Sequence, residues 1–299
     1  MDNIEETARA IKRLEIQGAT SIAVKAVEAL RDDLLASDSQ ATAQRVLLEG
    51  VKKLIETRET EPMMRNGLRY LQMNLSGKWT SFEKFSSQIE KASGEVLEFY
   101  EKARKNIVEI GSRRVRDGDT VFTHCHSSAV TESLIRAHES GKRFRVIQTE
   151  TRPKYQGRIT ARELVEAGVD TTMIVDSAAR HFMKEIDFVL VGSDAVTSEG
   201  NVINKIGTYS VAVLAHEHGI PFYAAAPVST FDLSRRSEDV IIEERDPKEV
   251  THVRSVTIAP ENVEVMNPAF DITPLKYVDA IICEDGVLSQ DEFRRLATN

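Results

Sequence analysis

The sequence contains little cysteine, no long apolar run and no surplus of positive charge. Only two of its 299 residues, Cys125 and Cys283, are cysteines, which excludes a disulfide framework and indicates a reducing compartment. No apolar stretch reaches the roughly 20 residues of a membrane-spanning helix, and the acidic N-terminus lacks the apolar core of a signal peptide. The net charge of −8 argues against nucleic acid as a partner. We therefore expect a cytoplasmic protein that binds neither nucleic acid nor membrane.

Two common nucleotide-binding motifs are also absent from the sequence. No G-x-G-x-x-G follows an apolar run, and no G-x-x-x-x-G-K-[ST] occurs anywhere. A nicotinamide-dependent dehydrogenase and a P-loop enzyme therefore lose their main support. The length allows two domains, and 41% hydrophobic and 29% charged residues are typical of a soluble globular protein.

Residues 1 to 112 have the apolar spacing of helices and almost no strand pattern. Apolar side chains recur every three or four residues in four stripes, which begin near Ile4, Ile22, Ala43 and Phe82. Turns are expected at Glu61-Pro62 and at Ser76-Gly77. The pattern predicts a helical domain of four or five helices over residues 1–112.

From Asp117 onward, short apolar runs alternate with helical periods. The runs are TVFTHC, RFRVIQTET, TTMIVDS, DFVLVGSD, PFYAAAP and VDAIICE. This alternation predicts an α/β fold, with a Rossmann-like catalytic domain over residues 113–299 and a mostly parallel sheet. Ligands of such sheets bind beyond the carboxyl ends of the strands, where the strand order reverses. We expect the polar residues that end the runs to share one cleft: Cys125, Glu150, Arg152, Asp176 and Asp194.

Cys125 lies between His124 and His126, where TVFTHC gives way to a helix that begins near Ser127. Free amides and the dipole of a helix N-terminus would lower the pKa of the thiol, and the histidines would add charge or hydrogen bonds. A thiolate placed there suits proton abstraction or nucleophilic attack. Two other interpretations stay open: a small buried hydrophobic side chain, or a metal ligand without a second Cys/His cluster to complete a zinc site.

Asp194 ends the run DFVLVGSD, whose continuous apolar character predicts a strand buried on both faces. A partly desolvated carboxyl there would have a raised pKa, as a general acid requires; the alternative is a turn carboxylate that accepts backbone amides. A turn is expected at Thr197–Asn201, after which VINKIGT returns Asn204 and Lys205 beside the same strand. Their amide and ammonium groups suit sugar hydroxyls and phosphate.

Five segments together resemble one family over nearly the whole chain: THCHSSAV, TETRPKYQGRITARELVEAGV, VDSAARHFMK, VGSDAVTSEGNVINKIGT and NPAFDITP. This family comprises archaeal ribose-1,5-bisphosphate isomerases, 5-methylthioribose-1-phosphate isomerases and regulatory subunits of the eukaryotic initiation guanine-nucleotide exchange factor. The segments are most similar to the ribose-1,5-bisphosphate isomerases. The resemblance implies isomerisation of ribose 1,5-bisphosphate to ribulose 1,5-bisphosphate, in an AMP-salvage route that feeds a Rubisco.

The resemblance also implies roles for individual residues. Cys125 corresponds to the proton acceptor and Asp194 to the proton donor, with no cofactor and no metal. Substrate contacts are implied for Gln17, Gly18, Ala19, Thr20, Arg58, Ser127, Ser128, Ala129, Asn204 and Lys205. Without the resemblance, Arg58 would be interpreted as an exposed helix charge. A homo-oligomer is implied, either a dimer or a trimer of dimers, with AMP as a candidate activator.

Three positions depart from the bisphosphate isomerases. Gln17 stands in place of an arginine, and Ser128 and Thr230 stand in place of lysines. Fewer cations argue for fewer phosphates, and AAPVSTFDL and IEERDPKEV are more similar to the methylthioribose-phosphate isomerases, whereas HCHSS is not. Two alternatives therefore stay open: a 5-methylthioribose-1-phosphate isomerase, and a non-catalytic subunit that binds sugar phosphate or nucleotide and regulates an initiation-factor partner.

Overall fold

A computed structural model of the chain describes residues 1–58, 60–77 and 79–298. Contacts between residues divide the chain into two compact units, and the division falls within the fifth helix. The first unit comprises Met1–Arg104 and Ser229–Phe231, and the second comprises Lys105–Val228 and Asp232–Asn299.

Helices form the first unit, as the apolar spacing predicts. Their bounds are α1 Asp2–Lys12, α2 Ala19–Leu35, α3 Gln40–Ile55, α4 Pro62–Leu75 and α5 Phe82–Arg114, the last of which continues into the second unit. The side chain of Ser39 accepts the N–H of Thr42 at the start of α3, and Pro62 occupies the first turn of α4. The two predicted turns flank α4.

The apolar stripes of these helices form the core of the first unit. Burial of their side chains supplies most of the favourable free energy of folding in such a unit. Fully or almost fully buried residues include Ile4, Ile22, Leu30, Leu47, Leu54, Leu68, Phe85 and Ile89.

Strands and helices alternate after α5. The strands are β1 Thr120–Thr123, β2 Arg145–Thr149, β3 Asp170–Ile174, β4 Phe188–Gly192, β5 Ala195–Thr197, β6 Val202–Lys205, β7 Phe222–Ala225, β8 Phe231–Asp232, β9 His252–Val253, β10 Val256–Thr257, β11 Phe270–Thr273, β12 Ala280–Cys283 and β13 Gly286–Ser289. The helices are α6 Ser128–Glu139, α7 Gly157–Glu166, α8 Ala179–Phe182, α9 Thr208–Glu217, α10 Lys248–Thr251 and α11 Gln290–Thr298. Each of the six apolar runs contains a strand, as predicted. Among the helices that the structure describes, none is long and apolar enough to cross a membrane.

Seven strands form the main sheet, in the order β13-β12-β7-β4-β1-β2-β3. Neighbouring strands are parallel except β12 and β13. The order reverses between β1 and β4, because the chain extends the sheet from β1 to β2 and β3 and then returns to β4, β7 and β12. This reversal is the switch point at which doubly wound sheets bind ligands. The predicted Rossmann-like architecture is confirmed. A ligand-binding site is expected at the carboxyl ends of β1 and β4.

A smaller antiparallel sheet contains β11, β6 and β5 in that order. β5 and β6 are joined by the predicted turn, in which Gly200 donates its N–H to the carbonyl of Thr197. As predicted, β6 returns beside the end of DFVLVGSD, where Asp194 donates its N–H to the carbonyl of Ile203 at 2.9 Å. Because β6 also pairs with β11, the segment NPAFDITP becomes a neighbour of Asn204 and Lys205.

Candidate active site

Cys125 follows β1 in a backbone conformation that residues other than glycine rarely adopt. Its φ of 68° lies in the left-handed region, which costs a residue other than glycine about 1–3 kcal/mol. Three hydrogen bonds hold it there: its N–H donates to Thr151 Oγ1 at 2.9 Å, and its carbonyl accepts from Gln148 Nε2 at 3.1 Å and from Thr160 Oγ1 at 3.2 Å. A strained residue held by several bonds is a common feature of functional sites.

The surroundings of Cys125 favour the thiol over the thiolate. Desolvation raises the pKa of Cys125 from 9.0 to about 11, and the negative charge of Asp194 acts in the same direction. The charges of Lys205 and Arg245 and the backbone N–H of His126 oppose this rise in pKa. The expectation that the pKa of this thiol is lowered is therefore wrong, because the loss of solvent outweighs the two cations and the backbone N–H of His126.

His124 and His126 contribute hydrogen bonds rather than charge, since burial lowers the pKa of both side chains. His124 Nδ1 lies 2.7 Å from Thr149 Oγ1, and Nε2 lies 2.9 Å from the carbonyl oxygen of Ile206. Because a carbonyl only accepts, Nε2 carries the proton and Nδ1 accepts from the threonine hydroxyl. His126 Nδ1 similarly lies 3.0 Å from Thr160 Oγ1. Both side chains fix the loop that follows β1.

Asp194 follows β4 by two residues, beside the loop that carries Cys125. Gly192 ends β4 against that loop: a Cβ atom placed on Gly192 would lie 2.6 Å from Ser127 Cβ and 2.8 Å from Ser127 Oγ. Asp194 and Cys125 are both partly exposed, and the charge of Asp194 acts on the thiol. The fold thus brings a thiol and a carboxyl together at the switch point.

The geometry gives little support to the other two interpretations of Cys125. Cys125 is partly exposed, whereas Cys283 is buried within β12. Within residues 1–58, 60–77 and 79–298, no group of three His, Cys, Asp or Glu side chains is arranged to hold a metal ion. The exposure and the charged neighbours of Cys125 favour a reacting group.

Asn204 and Lys205 end β6, where both are buried, each with 6% exposure. Asn204 Nδ2 donates to Thr208 Oγ1 at 3.0 Å. Lys205 Nζ lies 4.8 Å from the centre of the Phe270 ring, within range of a cation–π interaction. Because the charge of Lys205 lowers the pKa of Cys125, the ammonium and the thiol occupy the same region.

Asp271, within NPAFDITP, fixes the turn that leads from β6 into α9. Its carboxylate accepts the N–H of Gly207 at 2.8 Å and that of Tyr209 at 3.1 Å, which satisfies amides at the start of α9. Burial raises the pKa of Asp271 to about 6, although both amides and the charge of Lys205 oppose the rise. The sequence analysis identified the segment NPAFDITP by resemblance but predicted no role for Asp271.

The polar residues that end β2 and β3 have mainly supporting contacts. Asp176 accepts the N–H groups of Thr151 and Arg152, each at 2.7 Å, and Thr151 in turn accepts the N–H of Cys125. Glu150 pairs with Arg158 at 3.1 Å. Sequence reasoning missed Thr151 as a support of the thiol, although its place at the end of RFRVIQTET is a usable signal.

Ser127, Ser128 and Ala129 lie where α6 begins, directly after the thiol loop. Ser127 is the N-cap, with an extended φ of −137°, and Ser128 and Ala129 open the helix. All three are partly exposed. Amides of the first helical turn lack partners within the helix, so this position suits a phosphate or another anion.

The remaining predicted contacts belong to the first unit, and four of them surround the start of α2. Gly18 precedes the helix with a φ of 83°, and Ala19 and Thr20 are its first residues. Gln17 is exposed, and its Nε2 donates to the carbonyl of Leu14 at 2.8 Å. The start of α2 therefore also presents backbone amides of a first helical turn.

Arg58 and Thr230 are buried in the first unit. Arg58 is 9% exposed, and its Nη1 lies 3.3 Å from Glu61 Oε1. The interpretation of Arg58 as an exposed helix charge is therefore wrong. Thr230 is fully buried next to Ser229, whose carbonyl accepts from Asn66 Nδ2 at 3.0 Å.

A helical unit followed by a doubly wound α/β unit, with a thiol and a carboxyl at the switch point, defines a class of Rossmann-like proteins with an N-terminal helical domain. The model of the Initiation factor 2 subunit family matches residues 15–290. The chain belongs to this family, which confirms the resemblance found in its motifs.

Relatives within this family have different printed names. Ribose 1,5-bisphosphate isomerase of Archaeoglobus fulgidus is 40% identical over 291 residues, which cover 96% of this chain and 90% of the relative. Methylthioribose-1-phosphate isomerase of Acetivibrio thermocellus is 39% identical over 306 residues, which cover 96% and 89%. The crystal structure of translation initiation factor eIF-2B of Pyrococcus horikoshii OT3 has a TM-score of 0.85 at 32% identity, covering 97% of this chain and 98% of that one. The fold is thus confirmed, whereas the near-equal identities do not choose between the two isomerases.

Proposed function

We propose that this chain is a sugar-phosphate isomerase that converts ribose 1,5-bisphosphate to ribulose 1,5-bisphosphate. The observation that carries the proposal is the pairing of a thiol and a carboxyl at the ends of the adjacent strands β1 and β4. Aldose–ketose isomerisation needs one proton acceptor and one proton donor within reach of the same sugar. The Archaeoglobus fulgidus relative, 40% identical and named for this reaction, supports the choice of substrate.

The chemistry assigns one role to each group. A phosphate on C1 prevents the ordinary opening of a sugar ring, so the ring oxygen is protonated as its bond to C1 breaks. Asp194 donates that proton, and Cys125 removes the proton from C2 to give an enol. The thiol then returns a proton to C1 while the C2 hydroxyl gives its proton to Asp194. Both groups end as they began, and the aldose has become a ketose.

A single proton, held between the two groups, satisfies both roles. Catalysis requires Cys125 as thiolate and Asp194 as acid, whereas the free protein favours the thiol, whose pKa is raised to about 11. Transfer of the thiol proton to Asp194 creates the base and the acid together. It also removes the negative charge that disfavours the thiolate. The reactive state therefore needs no net loss of a proton to solvent.

Charged and polar groups beside the thiol suit the rest of the substrate. The ammonium of Lys205 and the amide of Asn204 can bind phosphate and hydroxyl oxygens, and helix amides can bind phosphate. The proposed contacts are Gln17, Gly18, Ala19, Thr20, Arg58, Ser127, Ser128, Ala129, Asn204 and Lys205. The homo-oligomer, the AMP activator and the supply of a Rubisco remain predictions of the family resemblance.

The test is turnover of ribose 1,5-bisphosphate, followed by phosphorus NMR, in wild type and two variants. Cys125→Ser and Asp194→Asn should each lower kcat by about 10³-fold, a typical loss for a missing general base or acid. Cys283→Ala removes the buried thiol and should keep its activity, and circular dichroism checks each fold. Turnover within tenfold of wild type in Cys125→Ser or Asp194→Asn would refute the assignment of that residue.

A second candidate is 5-methylthioribose-1-phosphate isomerase, which needs the same acid and base but only one phosphate. The observation that favours it is the replacement of family cations by Gln17, Ser128 and Thr230, together with the 39% identity to the Acetivibrio thermocellus isomerase. The two values of kcat/KM, measured side by side, decide between the substrates. Binding of both sugar phosphates without turnover would instead favour the non-catalytic regulatory subunit.

A further inference from the structure

Arg245 lies on a segment that hydrogen bonds join to the thiol loop. The backbone N–H of Arg245 donates to the carbonyl of Asn267 at 3.0 Å, and the N–H of Ala269 donates to the carbonyl of Glu243 at 2.8 Å. The residues between them form an antiparallel bridge, Glu244 to Pro268. The segment 243–245 is therefore fixed against residues 267–269, directly before β11.

The same ladder continues to the residue before Cys125. Ile206 donates its N–H to the carbonyl of Ala269 at 3.1 Å, and the Ile206 carbonyl lies 2.9 Å from His124 Nε2. Lys205, which precedes Ile206, is paired with Phe270 in the register of β6 and β11. Arg245, Lys205 and the thiol loop are thus held in one hydrogen-bonded framework, although they are far apart in sequence.

Two cations are buried in this framework. Arg245 is 7% exposed and Lys205 is 6% exposed, and the charges of both reach the sulfur of Cys125. Arg245 Nε lies 3.2 Å from Glu243 Oε1, whose side chain is 32% exposed. Burial of two like charges together is costly unless anions compensate them.

Carboxylates balance part of this charge. Glu243 pairs with Arg245, and the charge of Lys205 acts on Asp271, whose carboxylate also accepts two backbone N–H groups.

The titratable groups that act on the thiol loop itself are Asp194, Asp176 and two histidines. Asp194 is the carboxylate whose charge acts on the thiol, and in the proposed reaction it becomes protonated. Asp176 acts on the neighbouring His124 and is occupied by two backbone amides. His124 and His126 have lowered pKa values, so they add no charge near neutral pH. A phosphate beside the thiol would supply an anion for the two cations when Asp194 is protonated.

We propose that Arg245 is a substrate-binding residue that, together with Lys205, binds the phosphate on C1 of the sugar. This deepens the proposed function and rests on it. C1 is bonded to C2, whose proton the thiol removes, so a phosphate on C1 must lie next to Cys125. The planar guanidinium can donate two parallel hydrogen bonds to phosphate. Both candidate substrates carry this phosphate.

The test uses inorganic phosphate as the probe and alkylation of Cys125 by iodoacetamide as the readout. Peptide mass spectrometry separates Cys125 from Cys283, and the alkylation rate is measured at pH 9 over a range of phosphate concentrations. We expect phosphate to slow alkylation in wild type. In Arg245→Gln the phosphate concentration for half protection should rise by about tenfold or more.

Two control variants separate phosphate binding from other roles of Arg245. Arg145→Gln removes the same charge from an arginine at the start of β2, paired with Glu185 at 3.2 Å, and should leave protection unchanged. Glu243→Gln removes the carboxylate partner of Arg245 and should leave protection as strong as in wild type or stronger. If Glu243→Gln weakens protection as much as Arg245→Gln does, the role of Arg245 is structural and the proposal fails.

Activity assays add an arm that depends on the proposed function. Arg245→Gln should raise KM for ribose 1,5-bisphosphate by tenfold or more with a smaller change in kcat. Arg245→Lys keeps the charge without the planar guanidinium, so its KM should lie between those of wild type and Arg245→Gln. If circular dichroism shows that Arg245→Gln is misfolded, Arg245→Lys takes its place in both assays. Equal protection by phosphate in wild type and Arg245 variants overturns the proposal. Protection that depends on Arg245, without turnover of either sugar phosphate, overturns the proposed function and keeps the phosphate site.

Discussion

Gly192 is the position where one added methyl group should separate the two proposed catalytic groups. A Cβ atom there would lie 2.6 Å from Ser127 Cβ, about 1 Å closer than the optimal separation of two carbon atoms. The φ of Gly192 is outside the left-handed region, so alanine fits the backbone and the steric overlap is the main cost. Gly192→Ala must therefore move the end of β4 away from the start of α6 by about the same distance.

The expected effects follow from that displacement. Overpacking of this kind costs about 1–3 kcal/mol of the free energy of unfolding. A 1 Å misplacement of catalytic groups costs roughly 10²-fold in rate, and Asp194 follows Gly192 by two residues while Cys125 precedes Ser127 by two. We therefore expect a large loss of kcat with a modest loss of stability, measured by isomerase assay and urea unfolding.

A control variant and a compensating variant make the reasoning refutable. Gly94→Ala, within α5, places its Cβ in open space and should be neutral or slightly stabilising. Ser127→Gly removes both atoms that would lie within 3 Å of the new methyl group, so Gly192→Ala combined with Ser127→Gly should recover most of the lost stability. If Gly192→Ala unfolds and turns over like wild type, or if the double variant recovers no stability, the packing argument is wrong.

Two further predictions concern pH. The pKa of His124 is lowered from 6.5 by burial, so the unfolded state binds the proton more tightly and the free energy of unfolding falls as pH drops below about 6.5. His124→Gln should reduce this fall between pH 7 and pH 5, measured by urea unfolding. An equal fall in wild type and variant would contradict a neutral His124 between Thr149 and Ile206. The pKa of Asp271 is raised from 3.8 to about 6, so its contribution to stability is present below pH 3.8 and is lost as pH rises through 6. Asp271→Asn should remove this loss of stability, measured by urea unfolding from pH 4 to pH 7. If the free energy of unfolding changes equally with pH in wild type and variant, the raised pKa of Asp271 is contradicted.

The sequence by itself predicted most of the secondary structure and the place of the proposed acid and base. The spacing of apolar residues predicted the helices of the first unit, and six apolar runs predicted strands of the main sheet. These predictions succeed because hydrophobic periodicity is a local property of each element. The rule that ligands lie beyond the carboxyl ends of parallel strands placed Cys125 and Asp194 in one expected cleft with Glu150, Arg152 and Asp176. The family resemblance then implied the roles of base and acid for Cys125 and Asp194. Both follow strands that are neighbours at the reversal of strand order.

The tertiary structure decided what surrounds those two residues. Arg245 and Asp271 reach the site through pairing of β6 with β11 and of segment 243–245 with residues 267–269, contacts between distant parts of the chain that local periodicity does not encode. The pKa of Cys125 likewise depends on how much water all its neighbours exclude together, and this desolvation outweighs the nearby cations and the backbone N–H of His126. Burial of Arg58 beside Glu61 is a third such outcome. Sequence thus determined which elements form and where they end, whereas charge, burial and proton affinity at the site were determined only by how those elements pack.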